Sequence, residues 1–380
     1  MTDGAPASPR ILVLPHVPVI GGAGLYNRAA IAALARRAAV TLAGDAAEAY
    51  GDIAASTAVA DFVLPPRPVL PAYAGASRRA FLYHAFCAPI RATASFRWAR
   101  RHAGVLAEYD AIVVTSSIDL PFLAAIAAAG IRARRVCIVQ ENAFLSGARG
   151  TTQRRLLRSV DTVVSISRSW SARAAMQGIA SIVAANPFDV AAALPSDDTL
   201  AGYDFVFLGG SARIKGIALF LALIERLSTA RPVRAMLVGA VDASWQARIE
   251  ATRAMLTARG SSLSVAGFVA DVAPFLRDAR LLLLPITDPH FCRPAIEAGL
   301  CGRTFVVSDL PGLEDFADPG TNCLMAPPGD VAAWLAVCTR LLDGRDERTR
   351  LAAANHTHAL TAFSAAGFDA AWRQVVDRCR

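Results

Sequence analysis

The stretch FVFLGGSARIKG, residues 205–216, has the pattern of a buried strand, a glycine-rich turn and the beginning of a helix. The apolar run ends at Gly209, and Gly210 and Ser211 are residue types that favour turns. Lys215 follows four positions later, and it is the one lysine in a chain whose other basic residues are all arginine. The stretch therefore predicts a strand–turn–helix unit with an exceptional cation where the helix begins.

The same alternation of short apolar runs and helical runs extends over the whole chain. Further buried strands are predicted at residues 11–15, 39–44, 111–115, 136–140, 162–166, 235–239, 263–267, 280–285 and 304–309. Strands that alternate with helices form parallel sheets covered by helices on both faces. A turn-rich segment, residues 185–204, interrupts the series. The fold class is therefore predicted to be α/β, with two doubly wound Rossmann-like domains facing a cleft.

The turn-rich segment sets the predicted domain boundary. We place the N-terminal domain at residues 1–190 and the C-terminal domain at residues 191–362. Residues 363–380 are predicted to form a helix that has Phe368 and Trp372 on one face and packs back on the N-terminal domain. Ligands of doubly wound sheets bind beyond the carboxyl ends of the strands, so we expect functional residues in the loops that follow strands.

The net charge of +8 indicates anionic partners. Residues 62–107 contain seven arginines and no Asp or Glu. Within them, residues 78–101 mix arginine with aromatic side chains, as an amphipathic helix at a membrane surface does, although Pro89 is expected to kink it. A nucleic acid would engage the same charges, so the charge pattern alone leaves both partners open.

The cysteines and the apolar runs indicate the compartment. Seven widely spaced cysteines form no C-x-x-C pair, so we expect neither a disulfide framework nor a zinc site. The N-terminus lacks the basic-then-apolar pattern of a signal peptide, and the apolar runs are shorter than the ~18 residues of a membrane span. These features predict a cytoplasmic protein.

Lys215 is the leading candidate for a phosphate-binding residue. A lysine at a helix start stands beside backbone N–H groups that have no partner within the helix, and together they favour a phosphate or diphosphate. An ammonium is a compact charge and a guanidinium is a wide planar fork, so a crowded phosphate pocket can require lysine. The alternative is a solvent-exposed lysine at a helix start, present by chance and without a role in binding.

These motifs resemble those of the retaining family 4 glycosyltransferases, or glycosyl transferases group 1, which have the GT-B fold. Residues 291–308, FCRPAIEAGLCGRTFVVS, are similar to that family's F-G-x-P-x-x-E-A-x-x-x-G-x-P-V-V-x-S block, and the turn before Lys215 resembles its nucleotide-sugar site. Shorter similarities occur at GGAG (21–24), NPFD (186–189), GFV (267–269), GLED (312–315) and in the C-terminal segment. The resemblance covers nearly the whole chain.

The resemblance implies a hexosyltransferase that moves a sugar from a nucleotide sugar to a glycan or lipid-linked acceptor, with retained anomeric configuration and without a metal ion or cofactor. Lys215 would hold the diphosphate with the backbone amides of residues 291–293, and Glu297 would bind the ribose hydroxyls. The implied donor-binding residues are Gly22, Gly210, Arg213, Lys215, Phe268, Val269, His290, Phe291, Cys292, Arg293 and Glu297, and the catalytic candidates are Lys215, Glu297, Glu141 and His16.

Two positions depart from the family pattern. The first of the family's two glutamates, eight positions before the second, is replaced by Pro289, and its neighbours Asp288 and His290 are candidates to take its place at the donor sugar. The arginine usual five positions before the lysine is replaced by Gly210, and Arg213 is a candidate to supply that charge. These changes leave open a protein of the same fold that binds nucleotide sugars, or acts as a scaffold, without catalysis.

The first domain offers three further candidates. The glycines of residues 21–24 permit positive φ and close approach of a ligand in front of a helix. A nicotinamide-dependent oxidoreductase with Asp45 as the acidic residue is an alternative, but the glycines do not follow the strand directly and Asn27 replaces the third. His16, after the first strand, is a candidate general base or a loop histidine without such a role. Glu141, after the fourth strand, is a candidate acceptor-site residue or a helix cap.

The implied acceptor decides between the two anionic partners. Because acceptors of the resembling family are often lipid-linked, we interpret residues 78–101 as a contact with an anionic membrane surface, with an ordinary half-buried helix as the alternative, and expect no nucleic-acid partner. The protein is then expected in the cytoplasm or on the inner face of the membrane. Cys292 and Cys301 have no adjacent activating His or Asp, so we expect both to be small buried residues.

Overall fold

The structure is a computed structural model that describes residues 8–16, 21–44, 46–53, 57–60, 92–140, 147–188, 201–288 and 290–380. The chain divides into two compact units. The first unit consists of Met1–Pro187 together with Ala366–Arg380, and the second consists of Phe188–Ala365.

The described part of the first unit is built on a parallel sheet with the strand order β3-β2-β1-β4-β5-β6-β7. Its strands are β1 (Arg10–Leu14), β2 (Ala39–Leu42), β3 (Thr57–Val59), β4 (Ala111–Val114), β5 (Arg134–Val139), β6 (Thr162–Ser165) and β7 (Ile182–Val183). Its helices include α1 (Gly21–Ala35), α2 (residues 92–101), α3 (Ala103–Leu106), α4 (Leu120–Ala128), α5 (Gly147–Leu157) and α6 (Arg168–Ala175).

The second unit has a parallel sheet with the strand order β10-β9-β8-β11-β12-β13. Its strands are β8 (Tyr203–Leu208), β9 (Arg234–Val238), β10 (Ser262–Gly267), β11 (Ala279–Leu284), β12 (Thr304–Ser308) and β13 (Cys323–Ala326). Its helices are α7 (Ile217–Leu227), α8 (Ala243–Ala258), α9 (Ala273–Arg277), α10 (Arg293–Leu300), α11 (Val331–Asp343) and α12 (Arg345–Ala362).

The central strands are buried on both faces, as their continuous apolar sequences predict. In β11, for example, Leu281 to Leu284 are at most 2% exposed. The alternate side chains of β8 point to opposite faces, and Phe207 stacks on Phe220 of α7 with ring centroids 4.8 Å apart. Helix α7, which follows the glycine-rich turn, therefore packs directly on the sheet.

The last helix, α13 (Ala365–Asp377), belongs to the first unit. Its Trp372 is fully buried, and the ring of Phe368 lies edge-on to Tyr26 of α1 with centroids 5.7 Å apart. Asp369 on its exposed side accepts hydrogen bonds from Arg36, at 2.7 Å, and from Arg37. The helix thus returns the chain to the unit in which it began.

The predicted α/β fold class, with two doubly wound Rossmann-like units and a returning C-terminal helix, is confirmed. The observed strands begin or end at most two residues from the predicted positions. Strands β3, β7 and β13 were not predicted, because each has only two to four residues and lies among turn-forming residues. Among the described residues, no helix is long and apolar enough to cross a membrane.

Each sheet contains one pair of neighbouring strands at which the direction of winding changes. The pair is β1 and β4 in the first unit and β8 and β11 in the second. The loops that follow such a pair diverge to opposite sides, so a crevice remains beyond the carboxyl ends of the two strands. Ligands of doubly wound sheets bind in crevices of this kind.

Candidate functional site

In the second unit the loops after β8 and β11 are in direct contact. Gly216 has a φ of +80°, and a Cβ at this residue would lie 1.7 Å from the carbonyl oxygen of Pro285. The backbone N–H of Thr287 donates to the carbonyl of Ile214 at 3.0 Å. Only glycine fits at position 216. The 3₁₀ turn Arg213–Lys215 is consequently held against the loop that follows β11.

Lys215 extends from this turn to His290, and its Nζ lies 2.6 Å from Nε2 of the imidazole. The second ring nitrogen, Nδ1, lies 2.8 Å from the carbonyl oxygen of Asp288. Because a carbonyl oxygen can only accept, Nδ1 carries the ring proton and Nε2 presents its lone pair to the ammonium. Burial and the charge of Lys215 lower the pKa of His290 from 6.5 to about 4. The imidazole is therefore neutral at neutral pH.

The stem of Lys215 is also confined. A Cβ on Gly209 would lie 2.6 Å from Cβ and 2.8 Å from Cγ of Lys215, so the glycine makes room for the lysine side chain. With the stem against Gly209 and the tip against His290, the space suits a compact ammonium better than the longer and wider guanidinium. This confinement gives a physical reason why the position is lysine in an arginine-rich chain.

Glu297 lies on α10, one turn after Arg293. Nη2 of Arg293 donates to Oε1 of Glu297 at 3.3 Å, and the guanidinium carbon lies 4.3 Å from the ring centroid of Phe188. Burial raises the pKa of Glu297, and the charges of Arg293 and Lys215 oppose that rise. Lys215 and Glu297 therefore lie within electrostatic reach of one another.

The charges of Lys215 and Glu297 both act on the thiol of Cys292. This cysteine immediately precedes α10 and is fully buried. Burial raises the pKa of its thiol, while Lys215 acts to lower the pKa and Glu297 to raise it. Cys301, at the other end of α10, is also buried, and burial raises the pKa of its thiol. Both thiols stay protonated in surroundings that suit small apolar residues.

The aromatic residues of the predicted donor site have different surroundings. Phe291 packs edge-on against Phe316 and Phe363, with centroids 6.2 and 5.9 Å apart, so its side chain belongs to a hydrophobic cluster. Phe268 follows β10 and is 78% exposed, and the adjacent Val269 is partly buried. An aromatic ring this exposed is available to stack on a planar ligand.

The backbone conformation at Gly210 explains why this position does not hold the arginine that is usual in the family. Its φ is +54°, and a Cβ would lie 2.0 Å from the carbonyl oxygen of Ala240 in the loop after β9. No side chain can occupy this position unless that loop moves. Arg213 lies two positions before Lys215 and is exposed on the 3₁₀ turn.

The pairing of Ser211 with Asp242, which fixes the turn containing Gly210, was not predicted. The hydroxyl of Ser211 donates to Oδ2 of Asp242 at 2.8 Å, and the backbone N–H of Asp242 donates back to that hydroxyl at 2.9 Å. The available sequence signal was a serine after two glycines and an aspartate directly before a helix.

In the first unit, His16 follows β1, and Asp119 lies in a 3₁₀ turn after β4. Nδ1 of His16 lies 3.5 Å from Oδ2 of Asp119, and the backbone N–H of His16 donates to the hydroxyl of Thr115 at 2.8 Å. A histidine beside a buried carboxylate is an arrangement found in general bases. Asp119 was not predicted, and its position after a predicted strand was the signal that could have identified it.

Gly22 does not lie where the sequence placed it. We expected residues 21–24 to form a glycine-rich loop in front of a helix, but they form the first turn of α1, and Gly22 does not have a positive φ. The prediction was wrong because a first turn has backbone N–H groups without helical partners in any case, so it tolerates glycine better than a helix interior does.

A buried polar cluster, also not predicted, lies beside His16. Nε2 of Gln140, which follows β5, donates to Oδ1 of Asn27 at 2.5 Å and to the carbonyl of Thr115 at 2.9 Å. Asn27 in turn donates to the hydroxyl of Tyr50 at 3.4 Å. The loops after β1, β4 and β5 thus bring polar side chains together at the carboxyl edge of this sheet.

Several predicted residues lie outside the described residues. They are Asp45, Glu141, Pro289 and residues 78–91. Within the described residues, no group of three or more His, Cys, Asp or Glu side chains is placed to hold a metal ion.

Part of the chain is similar to a known family. Residues 202–344, which make up most of the second unit, match the model of the family described as glycosyl transferases group 1. No curated protein matches the chain in sequence.

Solved structures share the fold over nearly the full length. HepE (Alr3699) of Anabaena in complex with UDP is 19% identical, with a TM-score of 0.70 over 97% of this chain and 98% of that chain. A glycosyltransferase from Rickettsia africae is 11% identical, with a TM-score of 0.73 over 98% of both chains. Sucrose-phosphate synthase from Thermosynechococcus elongatus is 17% identical, with a TM-score of 0.68 over 96% of this chain and 98% of that chain.

These likenesses confirm the GT-B architecture that the sequence predicted. Together with the family match over residues 202–344, they support a GT-B glycosyltransferase. Membership of the retaining family 4 stays a prediction.

The close approach at Gly210 can be tested by substitution. Gly210→Ala is expected to lower the free energy of unfolding by at least about 3 kcal/mol, because the residue has to keep a left-handed φ with its methyl against a carbonyl oxygen. Gly260→Ala is the matched control. Gly260 has a φ of +67° but nothing within 4 Å of a Cβ, so a loss of about 1 kcal/mol is expected there. Urea unfolding followed by circular dichroism measures both, and equal losses would contradict the steric argument.

The lowered pKa of His290 predicts a loss of stability in acid. The unfolded chain takes up this proton near pH 6.5 and the folded protein near pH 4, so stability that is present above pH 6.5 is lost as the pH falls to 4. The loss due to His290 is on the order of 3 kcal/mol. Urea unfolding of the wild type and of His290→Gln is measured between pH 4 and 7.5. As the pH falls, the free energy of unfolding of the wild type should decrease relative to that of the variant. A constant difference would mean that His290 titrates as it does in water.

Proposed function

We propose that this protein is a metal-independent glycosyltransferase. It transfers a hexosyl group, with retention of the anomeric configuration, from a nucleotide sugar to a hydroxyl group of a glycan or lipid-linked acceptor. The observation that carries the proposal is the position of Lys215, beside a helix start at the switch point of the second unit, with Glu297 within electrostatic reach. The cation suits a diphosphate, and the carboxylate suits a pair of ribose hydroxyls.

The proposed reaction places Lys215 where negative charge grows. The bond between the anomeric carbon and the diphosphate oxygen breaks, and its electron pair stays on that oxygen. The acceptor oxygen bonds to the same carbon, and its proton passes to the departing diphosphate. A fixed cation stabilises this charge more in the transition state than in the ground state, and loss of one such group typically lowers kcat about 100- to 1,000-fold.

The remaining donor contacts follow from the loops around Lys215. The exposed ring of Phe268 is proposed to stack on the nucleotide base, with Val269 beside it. The backbone amides of residues 291–293, at the start of α10, are proposed to bind the diphosphate together with Lys215. Uracil is the first base to test, because HepE of Anabaena has been solved in complex with UDP and with UDP-glucose.

The acceptor is proposed to bind at the carboxyl edge of the first unit. His16 with Asp119, and the neighbouring amides of Asn27 and Gln140, offer the hydrogen-bond donors and acceptors that sugar hydroxyls require. Glu141, adjacent to Gln140 in sequence, is proposed to act at the same site.

Lys215→Ala tests the donor site. A thermal-shift panel of UDP, GDP, ADP, CMP and their sugars should identify the nucleotide that raises Tm most, and Lys215→Ala should abolish that shift because the diphosphate loses its cation. Arg226→Ala, which removes one exposed positive charge from the far end of α7, is the control and should keep the shift. An undiminished shift in Lys215→Ala would reject the proposed site.

Turnover separates an enzyme from a binding protein of the same fold. With the best donor, slow release of the nucleoside diphosphate is expected, and a donor that binds without any release would favour the binding or scaffold alternative. The anomeric configuration of the transferred sugar, measured by NMR, tests retention.

We also propose that residues 78–101 contact an anionic membrane surface. In the described part of this segment, helix α2, the side chains of Arg97, Arg100 and Arg101 are exposed. Each arginine near an anionic surface contributes about 1 kcal/mol, which supports reversible binding that retains a lipid-linked acceptor nearby.

Replacing Arg97, Arg100 and Arg101 by Gln should weaken binding to phosphatidylserine vesicles roughly 100-fold in a sedimentation assay, since about 3 kcal/mol is removed. The control replaces three exposed arginines elsewhere, Arg132, Arg155 and Arg226. Equal losses in the two variants would indicate attraction through net charge and not through this segment.

A further inference from the structure

We infer that His290 is a positioning residue for Lys215, whose ammonium it orients by accepting one of the three N–H groups, so that the other two are directed to a diphosphate. The inference rests on the proposed function, because it assigns a task to His290 at the same site. It differs from the expectation that His290 replaces the family's missing glutamate at the donor sugar.

Both ring nitrogens of His290 are engaged, which fixes the imidazole. Nδ1 donates to the carbonyl of Asp288 at 2.8 Å, and Nε2 accepts from Nζ of Lys215 at 2.6 Å. The donor and the acceptor of both hydrogen bonds are therefore fixed: Lys215 donates to His290, and His290 donates to the carbonyl of Asp288. No ring nitrogen is left to donate to a sugar hydroxyl, so the geometry favours a role toward Lys215.

The neutral state of His290 is what makes it useful as a partner. An aspartate or glutamate in its place would orient the ammonium but would also cancel much of its charge. A neutral imidazole orients the ammonium without cancelling its positive charge, which stays available to an anionic ligand. The charge of Asp288 acts on the imidazole in the opposite direction to the charge of Lys215. On α10, Arg293 and Glu297 are paired with each other.

The two loops that carry the pair come from either side of the switch point. Lys215 follows β8 and His290 follows β11, and the backbone contact between Gly216 and Pro285 keeps the loops in register. The pair is therefore built into the crevice where doubly wound sheets bind their ligands. An orienting contact at this place acts directly on whatever anion the crevice holds.

The single lysine of the chain makes the experiment direct. Protein grown with ¹³C-labelled lysine and carrying no lysine in its tag gives one side-chain Cε signal, which reports Lys215 alone. Inorganic pyrophosphate is the probe, because it tests the diphosphate site without knowledge of the base. The variants are His290→Leu, which removes the acceptor, and His290→Gln, whose side-chain oxygen can replace it. His102→Leu, in the first unit, is the control.

In the wild type, pyrophosphate is expected to shift the Lys215 signal. His290→Leu should change that signal in the free protein and weaken pyrophosphate binding about tenfold, as expected for loss of a hydrogen bond to a charged group. His290→Gln should restore most of the affinity, and His102→Leu should behave as the wild type. Acid titration of the wild type should move the Lys215 signal with a midpoint well below pH 6.5, and the movement should disappear in His290→Gln.

The possible failures are distinguishable. If pyrophosphate shifts the signal equally in wild type and His290→Leu, and the free signals coincide, the inference is wrong while the diphosphate site stands. If the Lys215 signal responds to His290→Gln and to acid but not to pyrophosphate, the pairing is real and the proposed function is wrong. Should His290→Leu fail to fold, the acid titration and His290→Gln still decide, since an acid response that survives in His290→Gln overturns the pairing.

Discussion

The contact between Gly216 and the carbonyl of Pro285 is the constraint on which the candidate site depends. A parallel sheet with this strand order sends the loops after β8 and β11 apart, and a crevice of that kind does not by itself bring two side chains together. The left-handed glycine removes the Cβ that would keep the two backbones separate. Because Lys215 directly precedes this glycine, its backbone lies next to the loop that follows β11. Its side chain then contacts His290 of that loop.

The two charged side chains proposed to bind the donor, Glu297 and Lys215, have partners of different charge. The carboxylate of Glu297 is balanced by Arg293 on the same helix, and that guanidinium is also held over the ring of Phe188. The ammonium of Lys215 has a neutral partner instead. In the proposed function these partners match the ligand. A carboxylate whose charge is neutralised by an arginine suits neutral hydroxyl groups, and an ammonium with a neutral partner suits a diphosphate.

Sequence patterns could predict the fold and several residues of the candidate site, but not how these residues pair with one another. Alternating buried strands and helices were evident because parallel strands buried on both faces are apolar throughout. Lys215 was identified as the one lysine of the chain at a predicted helix start, and Glu297 was identified from a resemblance to a family motif. The pairing of Lys215 with His290 spans 75 positions and depends on backbone contact across the switch point, which no local pattern encodes. The same is true of His16 and Asp119, which meet only because β1 and β4 are neighbours.

The departures from the family pattern become consistent once these contacts are considered together. Position 210 cannot carry an arginine, because its backbone lies against that of Ala240, so the turn has one confined cation in Lys215 and one exposed arginine. At ~4 Å and an effective dielectric constant of about 20, a unit charge contributes on the order of 4 kcal/mol toward a singly charged anion. A carboxylate beside Lys215 would oppose that attraction with a similar magnitude and leave little net effect. The single confined cation of this turn therefore requires a neutral partner, and the lowered pKa of His290 keeps that partner neutral.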